Sequence, residues 1–201
     1  MPVMSLSNEI SACTLCAEHL PLGPRPVVRA SDPRAKILII GQAPGTKVHA
    51  SGVPWDDASG KRLRDWLGVT PDEFYDERLF AIMPMSFCYP GRGKGGDNAP
   101  RPECAPLWHE RVLAGLPNIQ LTLLIGAYAQ ARYLGARRKA SLTETVQAWE
   151  SYVPGSYLPL VHPSPRNQMW LRRHPWFEND VTPWLRSHIR HMLLANPQDS
   201  A

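Results

Sequence analysis

No apolar run in the 201 residues is long enough to cross a bilayer. The longest, such as 36–41 and 121–126, are about a third of the roughly 20 residues a spanning helix needs. The opening MPVMSLSNEISACTLC has no basic stretch leading into an apolar one, so no secretory leader is expected. Internal repeats and low-complexity tracts are missing too, which excludes solenoid and fibrous readings. These absences predict a cytoplasmic protein with no membrane partner. Cysteine is scarce, at four residues, and in a reducing compartment those four are not expected to form two disulfides. Charge of one sign is nearly matched by the other. Lys and Arg number 22 against 18 Asp and Glu, for a net charge of +4. That excess permits a polyanionic partner without requiring one.

Proline and tryptophan are plentiful instead, at 21 and 7 residues. Prolines interleaved with Trp, Leu and Ile predict long ordered loops around a compact scaffold rather than disorder. The length suits one domain and a monomer, with an N-terminal segment (about 10–20) attached.

Four short apolar runs, 35–41, 79–84, 121–126 and 158–161, read as strands buried on both faces, because they are continuous rather than alternating. Helical patterns separate them. One begins at Ser59, read as its N-cap, and carries Leu63, Trp66 and Leu67 on one face. Others cover 101–116, 127–134, 142–149 and 183–194. Strands alternating with helices predict a three-layer α/β/α fold with a central four-stranded, mainly parallel sheet. Ligands in such folds bind beyond the carboxyl ends of the strands.

The segments at those ends are distinctive. Gly41-Gln42-Ala43-Pro44-Gly45 follows the first strand, and Trp55-Asp56-Asp57 comes soon after. A glycine-rich loop containing Asp97 and Asn98 follows the second strand, and His162-Pro163-Ser164-Pro165-Arg166-Asn167 follows the fourth. Gly41 and Gly45 allow close backbone approach to a ligand. Cys13 and Cys16 form a CxxC, while Cys88 and Cys104 flank the loop after the second strand, and all four are read as loop residues. Four thiolates suit zinc or an iron–sulfur cluster, with unrelated free thiols as the alternative. A thioredoxin-like redox pair fits less well, because the CxxC precedes the first strand. Ala17 excludes a c-type haem motif.

In order and spacing, the CxxC, the GxAPG pentad, the second cysteine pair and the late HPS resemble the family-four uracil-DNA glycosylases, from about Cys13 to Asn167. The resemblance implies a DNA repair enzyme that hydrolyses the N-glycosidic bond of a deaminated base flipped out of DNA. It implies uracil first and hypoxanthine or xanthine after it, and a [4Fe–4S] cluster on Cys13, Cys16, Cys88 and Cys104. It also implies that Gly41, Gln42, Ala43, Trp55 and His162 meet the base, with Trp55 stacking on it and His162 donating to its carbonyl as it leaves. Lys61, Arg62, Ser164, Arg166 and Asn167 are candidates for DNA phosphates, with Arg172 and Arg173 nearby.

The sequence also departs from the family pattern. Gln42 replaces the family's Glu and cannot act as a carboxylate base. Pro84 stands where an Asn is usual. Asp56 or Asp57 is expected to manage the water with Gln42 unless it caps the following helix, and Asn98 is a candidate to restore the lost amide contact. Two other classes stay open: a damage-recognition module without hydrolysis, and a nucleotide-binding α/β protein whose cysteines bind zinc.

Overall fold

The structure is a computed structural model that describes residues 5–194. The reading of the first four residues lies outside the described residues. Four strands, β1 (Ile37–Ile40), β2 (Phe80–Ile82), β5 (Leu121–Ile125) and β6 (Tyr157–Leu160), form one sheet in the order β2-β1-β5-β6. Every pairing in it is parallel, so the expected mainly parallel sheet is wholly so. Two further strands, β3 (Arg92–Gly93) and β4 (Gly96–Asp97), make a small antiparallel hairpin in the loop after β2. The outer edge of β2 is covered, since Arg29 bridges Ile82 in antiparallel sense, which hides an otherwise open edge.

The continuous apolar runs are explained by burial on both faces of the sheet. Along β1, Ile37 and Ile39 enter one core with Leu63, Trp66, Leu185 and Ile189. Leu38 and Ile40 enter the other with Ala81, Trp108, Val112 and Ala129. Alternate side chains point to opposite faces, and full burial of each such aliphatic stabilises the fold by roughly 1.5–3 kcal/mol. On the first face lie α3 (Ala58–Leu67) and α9 (Thr182–Leu194), and on the second α5 (Cys104–Ala114) and α6 (Ala127–Leu134).

Several boundaries differ from the sequence reading. The N-cap of α3 is Asp57, whose side chain accepts from the Gly60 N–H at 2.8 Å. Ser59 lies inside the first turn, buried. The helix read over 142–149 is α7 (Leu142–Gln147), opened by a capping box of Ser141 and Glu144. Cys104 is not a loop residue but the first residue of α5. Four short helices had no expectation: α1 (Leu6–Ser11), α2 (Thr46–Ser51), α4 (Pro71–Tyr75) and α8 (Gln168–Arg173). Of these, α2 matters most, because it turns the stretch after the glycine pentad into a wall. Among the described residues no helix is long and apolar enough to cross a membrane.

Candidate functional site

At the carboxyl ends of the strands the loops enclose an open cleft of about 550 Å³. The pentad after β1 supplies Gln42, Ala43 and Gly45, and α2 adds Thr46 and Lys47. Asp57 and Ser59 come from the start of α3, Arg92 and Asp97 from the hairpin, and His162, Ser164 and Arg166 from the segment after β6. Of the residues the sequence singled out, sheet topology gathers here Gln42, Ala43, Asp57, His162, Ser164 and Arg166.

His162 follows β6 by two residues and is mostly packed in by protein, with part of its ring open to the cleft. The Ser164 backbone N–H donates to its Nδ1 at 3.2 Å. Nδ1 is thus the acceptor nitrogen, and in the neutral ring the proton sits on Nε2. Burial pulls the imidazole below its ordinary pKa, and the negative charge of Asp57 opposes that only in part. The side-chain amide of Asn167 donates to the His162 carbonyl at 2.8 Å, so the residue after Arg166 holds the backbone that aims the ring. His162 is a neutral, oriented hydrogen-bond donor at physiological pH.

Trp55 has a left-handed backbone, at φ 59°, which is costly for a residue with a bulky side chain. Its neighbours hold it there. Tyr75 donates its hydroxyl to the Pro54 carbonyl at 2.9 Å, and Arg64 donates to the Trp55 carbonyl at 3.3 Å. A Cβ on Gly60 would lie 1.7 Å from that carbonyl oxygen, so only glycine fits at 60. The indole lies against the bare Cα of Gly41, where a Cβ would come within 2.9 Å of the ring. Its centroid is 5.5 Å from that of His162. Trp55 lines a small apolar hollow with Gly41, Pro44, Asp57 and Pro84, adjoining the larger cleft rather than lining it.

The two neighbouring aspartates separate. Asp57 caps α3 and lines both the cleft and the hollow, while Asp56 is exposed and lines neither. Gln42 donates its amide to the Asn98 carbonyl at 3.1 Å, tying the pentad to the hairpin loop. The Asn98 side chain donates to the Pro90 carbonyl at 3.2 Å and does not line the cleft.

Of the expected phosphate contacts, Ser164 and Arg166 line the cleft; Lys61, Arg62 and Asn167 do not. Arg62 is engaged internally, bonding the Ser164 carbonyl at 3.3 Å and Gln168 at 2.9 Å. Arg172 and Arg173 end α8 on the exposed surface. Lys47 and Arg92 were missed. The hairpin carrying Arg92 has a readable signal in the Gly93-Lys94-Gly95-Gly96 turn; α2 does not.

Beside this cleft is a second hollow, lined by all four cysteines together with Leu15, Leu20, Phe87, Arg101 and Trp108. Phe87 donates its backbone N–H to the Cys104 sulfur at 3.3 Å. Burial pushes the Cys104 thiol up to about 12 and the Cys88 thiol up to about 11. Cys16 is raised by burial and then by Glu103. No three of the described His, Cys, Asp and Glu side chains converge closely enough to hold a single metal ion. The hollow and the cleft share a wall, because Met85 and Ser86 donate backbone N–H groups to the carbonyls of Gly41 and Gln42, at 2.9 and 3.2 Å.

The sequence model described as the uracil DNA glycosylase superfamily matches residues 28–186, a span that holds the whole sheet and cleft and leaves out Cys13 and Cys16. The chain belongs to the uracil DNA glycosylase superfamily.

Proposed function

We propose that the chain is a DNA glycosylase that hydrolyses the N-glycosidic bond of a deaminated base flipped out of DNA, uracil first and hypoxanthine or xanthine after it. The observation that carries this reading is His162, a neutral imidazole with its proton on Nε2 at the edge of the cleft. As the bond breaks, negative charge builds on the departing base and positive charge on the sugar. A fixed N–H donor stabilises the base anion without giving up its proton. Asp57 carries the only carboxylate that lines both the cleft and the Trp55 hollow among the described residues. It orients the water and balances the cationic sugar. The Trp55 ring is the platform for the extruded base.

The four cysteines are read as the ligands of a [4Fe–4S] cluster, with zinc as the alternative the same four thiolates suit. They line one hollow, and a four-iron cube takes one thiolate at each iron. When bound, such a cluster ties the N-terminal segment, the loop after β2 and the start of α5 together beside the pentad.

The test is base release from oligonucleotides carrying uracil, hypoxanthine or xanthine. Wild type is expected to release at least one of them, and His162→Ala to lower the single-turnover rate on the order of 10²–10³-fold with DNA binding retained. Binding without release of any base would overturn the hydrolytic reading in favour of a recognition module, for which the loss of a carboxylate at Gln42 speaks.

A further inference from the structure

The cleft has an excess of positive charge that the roles above leave unused. Lys47, Arg92 and Arg166 line it, against the carboxylates of Asp57 and Asp97. The three cations come from three separate elements: α2, the β3–β4 hairpin and the segment after β6. Among the described residues Lys47 and Arg92 have neither a hydrogen-bond nor an ion-pair partner. Arg92 faces Asp97 across the hairpin ladder, yet the two form no ion pair. Arg166 reaches only the Gly95 carbonyl, at a long 3.5 Å, with its guanidinium lying over the hairpin. A Cβ on Gly96 would meet that group at 2.2 Å, so the bare glycine lets it lie there.

Unpaired cations lining one groove attract an anion that enters it. With His162 neutral, three positive charges stand against two negative ones, so the cleft as a whole favours an anion. Gly45, Gly95 and Gly96 line the same walls, leaving backbone open to close approach. A nucleotide extruded from a strand brings one phosphate on each side of its sugar, and the three cations line the cleft that His162 also lines.

The geometry points to a phosphate clamp: Lys47, Arg92 and Arg166 grip the phosphodiesters flanking the flipped nucleotide, with Lys47 and Arg92 as positioning residues of the site. This rests on the glycosylase reading for what the clamp positions, but strand binding itself needs no catalysis. Of the surface cations expected to bind DNA, Arg62 is occupied and Lys61 lies outside the cleft. The work of strand binding therefore shifts to the hairpin and α2.

The test is equilibrium binding of an undamaged single-stranded oligonucleotide across a series of salt concentrations. Lys47→Ala and Arg92→Ala are each expected to weaken binding about tenfold. Each should also shrink the slope of log affinity against log salt by about 0.7, the value for one single-strand phosphate contact. Lys94→Ala, at the tip of the same hairpin but outside the cleft, keeps both quantities at wild-type values. Where base release is measurable, the two cleft variants raise KM more than they lower the saturating rate. A Lys47→Ala/Arg92→Ala double variant with wild-type affinity and slope would overturn the clamp, as would an equal loss in Lys94→Ala, which would mark a net-charge effect. If the slope falls as expected while no base is released by wild type, the clamp stands and the hydrolytic reading fails.

Discussion

Asp57 has two roles that different substitutions pull apart. Its carboxylate caps α3 through the Gly60 N–H at 2.8 Å, and it lies close enough to His162 to lift that imidazole against the pull of burial. Asn caps helices about as well as Asp, so Asp57→Asn keeps the cap and removes the charge. Its melting temperature is expected to stay within about 1 °C of wild type. Its single-turnover rate of base release is expected to fall on the order of 10²–10³-fold. The His162 pKa, followed by NMR, moves further down, because the group that raised it has lost its charge. Asp57→Ala loses the cap as well, at a cost of about 1 kcal/mol, or about 2–4 °C in Tm for a chain of 201 residues. Asp56→Asn, exposed and outside the cleft, should change neither. Full activity in Asp57→Asn, or a rate loss confined to Asp56→Asn, would refute the assignment.

Two further measurements follow from buried groups. Protein purified without oxygen is expected to be brown, and Cys88→Ser or Cys104→Ser to bleach it; a colourless wild type carrying one zinc would remove the cluster and leave the four-thiol site. His109 is buried and neutral, with Nε2–H donating to the Pro84 carbonyl at 3.0 Å and Nδ1 accepting from Tyr133 at 2.7 Å. Burial lowers its pKa from 6.5 to about 4. The unfolded chain therefore takes up a proton first as acid is added. The stabilisation is fully present above pH 6.5 and is lost as the pH falls from 6.5 through about 4, by roughly 3 kcal/mol. Urea unfolding at pH 7.5 and 4.5 should show a smaller loss in His109→Gln than in wild type; equal losses would contradict it.

The sheet was legible because burial on two faces leaves a mark that survives in sequence: Ile37, Leu38, Ile39 and Ile40 are all apolar, where a one-sided strand would alternate. Helix starts were less legible. Ser59 and Asp57 are both good caps by type, and what decides between them is the Trp55 backbone at φ 59°, which turns the chain early. No local propensity predicts a left-handed tryptophan; it is imposed by Tyr75, Arg64 and the bare Gly60. The five- and six-residue helices escaped because so few turns show no hydrophobic period, although α4 has a capping box of Thr70 and Glu73.

A rule of topology, that ligands gather at the carboxyl ends of parallel strands, pointed to the candidate site, and His162, Gln42, Asp57 and Arg166 all line the cleft there. What topology does not give is which way a side chain turns. Asn98 and Arg62 have the chemistry expected of them and spend it on carbonyls of their own chain. Gln42 is the instructive case. Read from sequence, it is a carboxylate lost. In the structure its Nε2 donates to the Asn98 carbonyl at 3.1 Å, a bond that an ionised Glu, having only acceptors, would replace with a repulsion. An amide at 42 therefore helps hold the hairpin loop against the glycine pentad, and a carboxylate there would remove that bond. The change that looks like a missing catalytic group also ties the hairpin loop to the pentad, and among the described residues of the cleft the carboxylate that acts on His162 is that of Asp57.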